Sequence, residues 1–107
     1  MAYDEALAER IRELTAAEEG LTEKKMFGGV AFLVNGNMAV AASGQGGLLV
    51  RVDPGEGTRL VETTDAVPME MRGRPMAGWL RVDPPAPQVA GWVERGIGYA
   101  RTLARKR

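Results

Sequence analysis

The 107 residues contain no cysteine and no histidine. The first absence removes disulfides, thiolate nucleophiles, zinc ribbons and cysteine-held iron–sulfur clusters. The second removes the commonest general base, the commonest metal ligand and the Ser-His-Asp triad. Aromatic residues make up only 6% of the chain. The longest apolar stretches, such as Gly28–Val34, fall far short of the ~20 residues that a membrane-crossing helix needs. Charge of either sign is not in excess, with 14 Lys and Arg against 14 Asp and Glu, so no global field draws the chain to nucleic acid or an acidic membrane. Asp4, Glu5 and Glu9 fall within the first nine residues and no apolar signal-peptide segment accompanies them, which reads as a cytoplasmic chain.

What remains is an ordinary globular composition, 45% hydrophobic and 26% charged, at the commonest domain size. One domain over residues 1–107 is expected. The neutral total conceals a polarity. Acids such as Glu9, Glu13, Glu18, Glu19 and Glu23 gather at the start, whereas Arg95, Arg101, Arg105, Lys106 and Arg107 close the chain with no acid among them. Helix-dipole complementarity accounts for this pattern, and a basic interaction tail is the alternative.

Hydrophobic spacing orders the elements. Leu7, Ile11 and Leu14 predict an amphipathic helix over about Asp4–Ala17. Val30–Val34, Met38–Ala42 and Leu48–Val52 predict three antiparallel strands, with a short one before them at Lys24–Phe27. Asn35-Gly36 supplies the tight turn of the first hairpin. Asp53-Pro54 opens a short helix to about Glu62. Val67–Met71 and Ala77–Val82 predict two more strands around a turn at Arg72–Met76. A last helix follows, with Val89, Trp92, Val93, Ile97, Ala100 and Leu103 on one face. Gly91, Gly96 and Gly98 each cost that helix about 1 kcal/mol relative to alanine, so it depends on docking. The order α-βββ-α-ββ-α is a two-layer α+β domain, an antiparallel sheet packed against helices. Val30, Phe32, Val34, Leu48, Val50 and Val52 should face the helices, and Leu49 and Arg51 a second, partly covered face.

Few constellations carry chemistry. Gly44-Gln45-Gly46-Gly47 joins two strands and lacks the spacing of a phosphate loop. Gly28-Gly29 in an apolar β segment marks a bulge or a close backbone approach. Arg51, Arg72, Arg74 and Arg81 converge if the late strands lie beside the meander. One reading pairs one or two of them with Asp53, Glu70 or Asp83 and leaves the rest solvated. The other makes Arg51, Arg72 and Arg74 a site for an anion or an acidic partner. Met26, Met38, Met69, Met71 and Met76 read as core or sheet filling, or as an adaptable binding surface. No catalytic residue, metal site or cofactor is assigned.

Several strings resemble the TfoX N-terminal domain family, whose best-known members are bacterial competence regulators of the TfoX/Sxy type. They are Lys25-Met26-Phe27-Gly28-Gly29-Val30-Ala31-Phe32, Asn35-Gly36-Asn37-Met38, Leu49-Val50-Arg51-Val52 and Gly73-Arg74-Pro75-Met76-Ala77-Gly78-Trp79. The resemblance covers nearly the whole chain. It implies a two-layer α+β fold similar to secretion-chaperone-like architectures, and mainly structural roles for Met26, Phe27, Gly28, Gly29, Asn35, Gly36, Gly73, Pro75, Met76, Gly78 and Trp79. It also implies a stand-alone member, since the competence regulators carry a second helical domain that these residues do not contain. The expectation is therefore a small non-enzymatic domain acting through protein partners, in regulation. The alternatives are a nucleic-acid accessory using Arg101, Arg105, Lys106 and Arg107, a small anion-binding protein, and a homodimer formed through a sheet edge.

Overall fold

Asp4 caps the first helix, its carboxylate accepting from the Leu7 N–H at 3.1 Å. Helix α1 then runs over Glu5–Thr15. The computed structural model describes residues 4–26, 28–44, 46–71, 73–83 and 86–104. Beyond α1 come β1 (Leu21–Met26), β2 (Gly29–Val34), β3 (Asn37–Ala42), β4 (Leu48–Arg51), α2 (Pro54–Thr63), β5 (Val67–Met71), β6 (Arg74–Val82) and α3 (Val89–Arg101). Asp53 caps α2 as expected, accepting from the Gly55 N–H at 3.0 Å. Asn35 and Gly36 both take positive φ, 53° and 84°, which is what a two-residue hairpin between β2 and β3 demands.

Every pairing is antiparallel, in the order β1-β2-β3-β4-β6-β5. The architecture is the expected two-layer α+β, with two changes of detail. First, β1 is a full six-residue strand rather than a short one. Its sequence, Leu-Thr-Glu-Lys-Lys-Met, is exposed along its four middle residues, so it shows no apolar alternation. Phe27, expected in that strand, lies outside the described residues. Second, the expected turn at Arg72–Met76 is narrower, because β6 already begins at Arg74. Pro75 fits because this part of β6 pairs with β5 alone, while β4 engages only Trp79–Val82.

The core lies on one side of the sheet. Phe32, Val40, Leu48, Val50 and Val82 point into it with Ile11 of α1, Leu60 of α2, and Val93 and Ile97 of α3. The register places Val40, Val50 and Leu80 directly opposite one another, so this face is apolar without interruption. Helix α3 lies close on it. A Cβ built on Gly96 would stand 2.6 Å from the Ala39 carbonyl oxygen and 2.7 Å from the Val40 Cγ1. That glycine is the contact through which the helix docks, whereas a Cβ on Gly98 would meet nothing.

The polarity of the chain is partly spent inside the fold. Arg101 at the end of α3 donates to Glu18 at 2.6 Å and to the Glu19 carbonyl at 3.0 Å. Arg12 of α1 is held by Glu23 of β1 and by Glu9, and these hydrogen bonds push its guanidinium above its ordinary range. Arg95 joins α3 to Glu56 of α2 at 3.1 Å. Each exposed pair contributes about 0–1 kcal/mol.

Opposite outcomes are expected for two glycines of α3. Gly96→Ala should destabilise the fold by about 1–3 kcal/mol through overpacking. Gly98→Ala should stabilise it by about 0.5–1 kcal/mol through helix propensity. Urea denaturation of the two variants checks both.

Candidate functional site

The three helices leave the other face of the sheet uncovered by helix. One row of directly opposed residues crosses it from edge to edge: Lys24, Ala31, Ala41, Leu49, Arg81 and Val67. Directly opposed residues in an antiparallel pair share a face, so the row has a small apolar centre and a cation toward each edge. A second pairing sets Arg51 opposite Trp79, and the guanidinium lies over the indole, 5.6 Å from its centroid.

This face is hollowed into a groove of about 830 Å³. Its lining runs from Met26 on one edge strand to Val67 and Glu70 on the other, so the sheet coils around it. The bend is in β6. Between the Pro68–Leu80 and Glu70–Pro75 pairs, Met69 alone faces the four residues Met76–Trp79. Gly78, within that stretch, adopts φ +83°, and a Cβ there would come 3.0 Å from the Val52 carbonyl. Its own carbonyl accepts from the Val52 N–H at 2.8 Å.

Met26, Met38, Met69 and Met76 all line the groove, and none belongs to the buried core. The expectation of core filling is corrected for these four. Met38 shows why. Simple alternation back from Val40 would send it into the core, but the register shifts between Phe32 and Leu33, leaving Ala39 as an extra residue and Met38 opposite Leu33. The bulge turns Met38 to the open face. Trp79 also lines the groove, whereas Phe32 is fully buried as expected. Leu49, Val67 and the floor residues Ala31 and Ala41 were not singled out as site residues from sequence. The signal was the alternation that sets Leu49 apart from Leu48 and Val50.

The motif strings divide into groove and scaffold. Met26, Met38, Met76 and Trp79 face the groove. Gly28 lies in the β1–β2 turn with φ +80°, and Gly73 in the β5–β6 turn with φ +78°. Gly29 makes the expected close approach, since a Cβ there would fall 2.2 Å from the Ala42 carbonyl oxygen. The turn assignment for Gly28 replaces its expected place inside a strand. Asn37 is buried and donates to the Ala104 carbonyl at 2.8 Å, tying the residues just after α3 to β3.

The late strands do lie beside the meander, yet Arg51 and Arg74 are set apart. Arg74 sits opposite Met71 in the outer hairpin, five residues along β6 from Trp79, or about 16 Å at strand rise. Arg72 lies outside the described residues. Arg81, instead, stands diagonally across from Arg51. It donates to the Gly46 carbonyl at 2.6 Å and to the Ser43 hydroxyl at 3.2 Å, holding the β3–β4 loop. Pairing of these arginines with Asp53, Glu70 or Asp83 does not occur among the described residues. Of the basic end, Arg101 is engaged by Glu18, and Arg105, Lys106 and Arg107 lie outside the described residues. Among the described residues no group of three His, Cys, Asp or Glu side chains is arranged to hold a metal, and no helix is long and apolar enough to cross a membrane.

Neighbours in β4 should respond oppositely to the same change. Leu49→Gln, on the groove side, is expected to alter stability by about 1 kcal/mol or less, whereas Val50→Gln, in the core, should cost about 3 kcal/mol or more. Thermal melts of both variants test the assignment of faces.

No curated protein and no solved structure gives a match to the chain. The family model described as the TfoX N-terminal domain matches residues 13–100. That span takes in every strand, α2 and nearly all of α3, and with them the four motif side chains of the groove, so the chain belongs to the TfoX N-terminal domain family.

Proposed function

We propose that this TfoX N-terminal domain is a non-enzymatic contact protein with a regulatory role, and that it meets a protein partner through the helix-free face of its sheet. The observation that carries this reading is the groove itself. Methionine and tryptophan side chains from three separate motif strings line a hollow of about 830 Å³. Methionine is flexible and polarisable, and suits a surface that adapts to an incoming apolar segment. A chain without histidine or cysteine also lacks the side chains that most often serve as bases and nucleophiles.

Affinity capture from native lysate, with the full chain as bait, tests the reading. A partner should be retained by the wild type and by the helix-side variant Arg10→Ala, but lost with Met38→Glu. It should then bind the purified wild type directly. Equal capture by all three baits, or none beyond a blank resin, would contradict the proposal.

A further inference from the structure

Sulfur is sorted by face in this fold. Met26, Met38, Met69 and Met76 come from four different strands, and all four line the groove half-buried. The core on the helix side contains no methionine, neither among its buried residues nor among the partly buried ones packed on it. Methionine ranks with the residues most often fully buried, so this partition runs against the usual distribution. The chain has no cysteine, and thioethers are therefore its only sulfur.

Oxidation acts differently on the two faces. A sulfoxide formed inside a packed core places a polar oxygen among apolar atoms and disrupts the fold. Here the described thioethers lie outside that core. The groove floor is nevertheless closed off: Ala31 and Ala41 are 1% and 7% exposed although no helix covers them, so longer side chains fold over it. The groove's arginine, Arg81, is already committed to the Gly46 carbonyl and the Ser43 hydroxyl. A sulfoxide oxygen in this layer turns to water instead, and an apolar partner seated there buries it unpaired.

We propose that the groove is a site of reversible methionine oxidation, in which sulfoxides at Met26, Met38, Met69 and Met76 close the face to its partner while the fold persists. The oxidant is a peroxide, with hydrogen peroxide the simplest. A sulfur lone pair attacks one peroxide oxygen, the S–O bond forms as the O–O bond breaks, and the other oxygen leaves with both protons as water. Sulfur gives up two electrons and the peroxide accepts them. Reductases specific for each sulfoxide epimer reverse the step. The modification follows from where the sulfurs lie; its effect on binding rests on the reading of this face as a contact surface.

The test exposes the full chain to hydrogen peroxide, stops the reaction with catalase and locates sulfoxides by peptide mass spectrometry. The four groove methionines should oxidise in the folded chain within about tenfold of their rates in the urea-unfolded chain, because reaching them needs no global opening. The far-ultraviolet circular dichroism spectrum and a cooperative urea transition should survive. Rates slowed by more than about a hundredfold, or sulfoxides that form only as the fold is lost, would overturn the inference.

Binding is read by capture from native lysate. The oxidised wild type should hold roughly a tenth or less of the partner held by the untreated chain, through burial of an unpaired polar group. Treatment with reductases for both epimers should restore it. The variant Met26→Leu/Met38→Leu/Met69→Leu/Met76→Leu conserves side-chain volume and keeps Met1 and Met71; its capture should be indifferent to peroxide. Unaltered capture by the oxidised wild type, loss without reductase rescue, or equal peroxide sensitivity in the leucine variant would overturn the switch. If that variant does not fold or captures nothing untreated, reductase rescue of the wild type decides alone. If the untreated wild type captures no partner, or Met38→Glu leaves capture unchanged, the contact reading fails and the effect on binding falls with it, while the peptide map still decides the modification.

Discussion

The pairing of β6 with β4 is the constraint on which the open face depends. It sets Leu49 opposite Arg81 and Arg51 opposite Trp79, and it carries β5 to the far edge of the sheet. The same pairing extends the core side, where Leu80 and Val82 continue the apolar surface of Val50 and Leu48. One register therefore builds a core on one side and a groove on the other.

The two sides follow different packing logic. On the helix side, β-branched residues and leucine fill space against α3, and a glycine permits the closest approach. Flexible methionines line the opposite side around small alanines, with cations at its margins. A well-packed interior rewards stiff side chains with defined rotamers, whereas a surface that receives a partner gains from side chains that rearrange. The ion pairs join mainly helical residues, although Arg59 of α2, like Lys24 and Arg51 on the strands, has no carboxylate partner among the described residues.

Local rules made much of this legible before any coordinates. The spacing of Leu7, Ile11 and Leu14 marked the first helix and Asp53-Pro54 the start of the second, Asn35-Gly36 marked the hairpin, and alternation in β2 and β4 identified the core face. What escaped were the places where a non-local contact overrides a local pattern. Strand β1 is an edge strand exposed along most of its length, so its first half, Leu21–Glu23, shows no apolar alternation and only the part from Lys24 was expected. The bulge at Ala39 reverses the parity that would have buried Met38. Gly96 looked like a helix defect and is the docking point of α3. Convergence of the arginines was conditional on where the late strands lie, and only the strand register shows that Arg81, rather than Arg74, is the neighbour of Arg51. The family resemblance, by contrast, was carried by strings long enough to be read directly, and the match over residues 13–100 agrees with it.

The account stands on the claim that the methionine-lined face is the one that meets a partner. Methyl NMR of protein labelled at its methionine and isoleucine methyl groups, titrated with the protein it captures, tests this most directly. Large shifts confined to Met26, Met38, Met69 and Met76, with Ile11 and Ile97 unmoved, are the predicted result. Shifts at the two isoleucines, or at none of the four groove methionines, would contradict it.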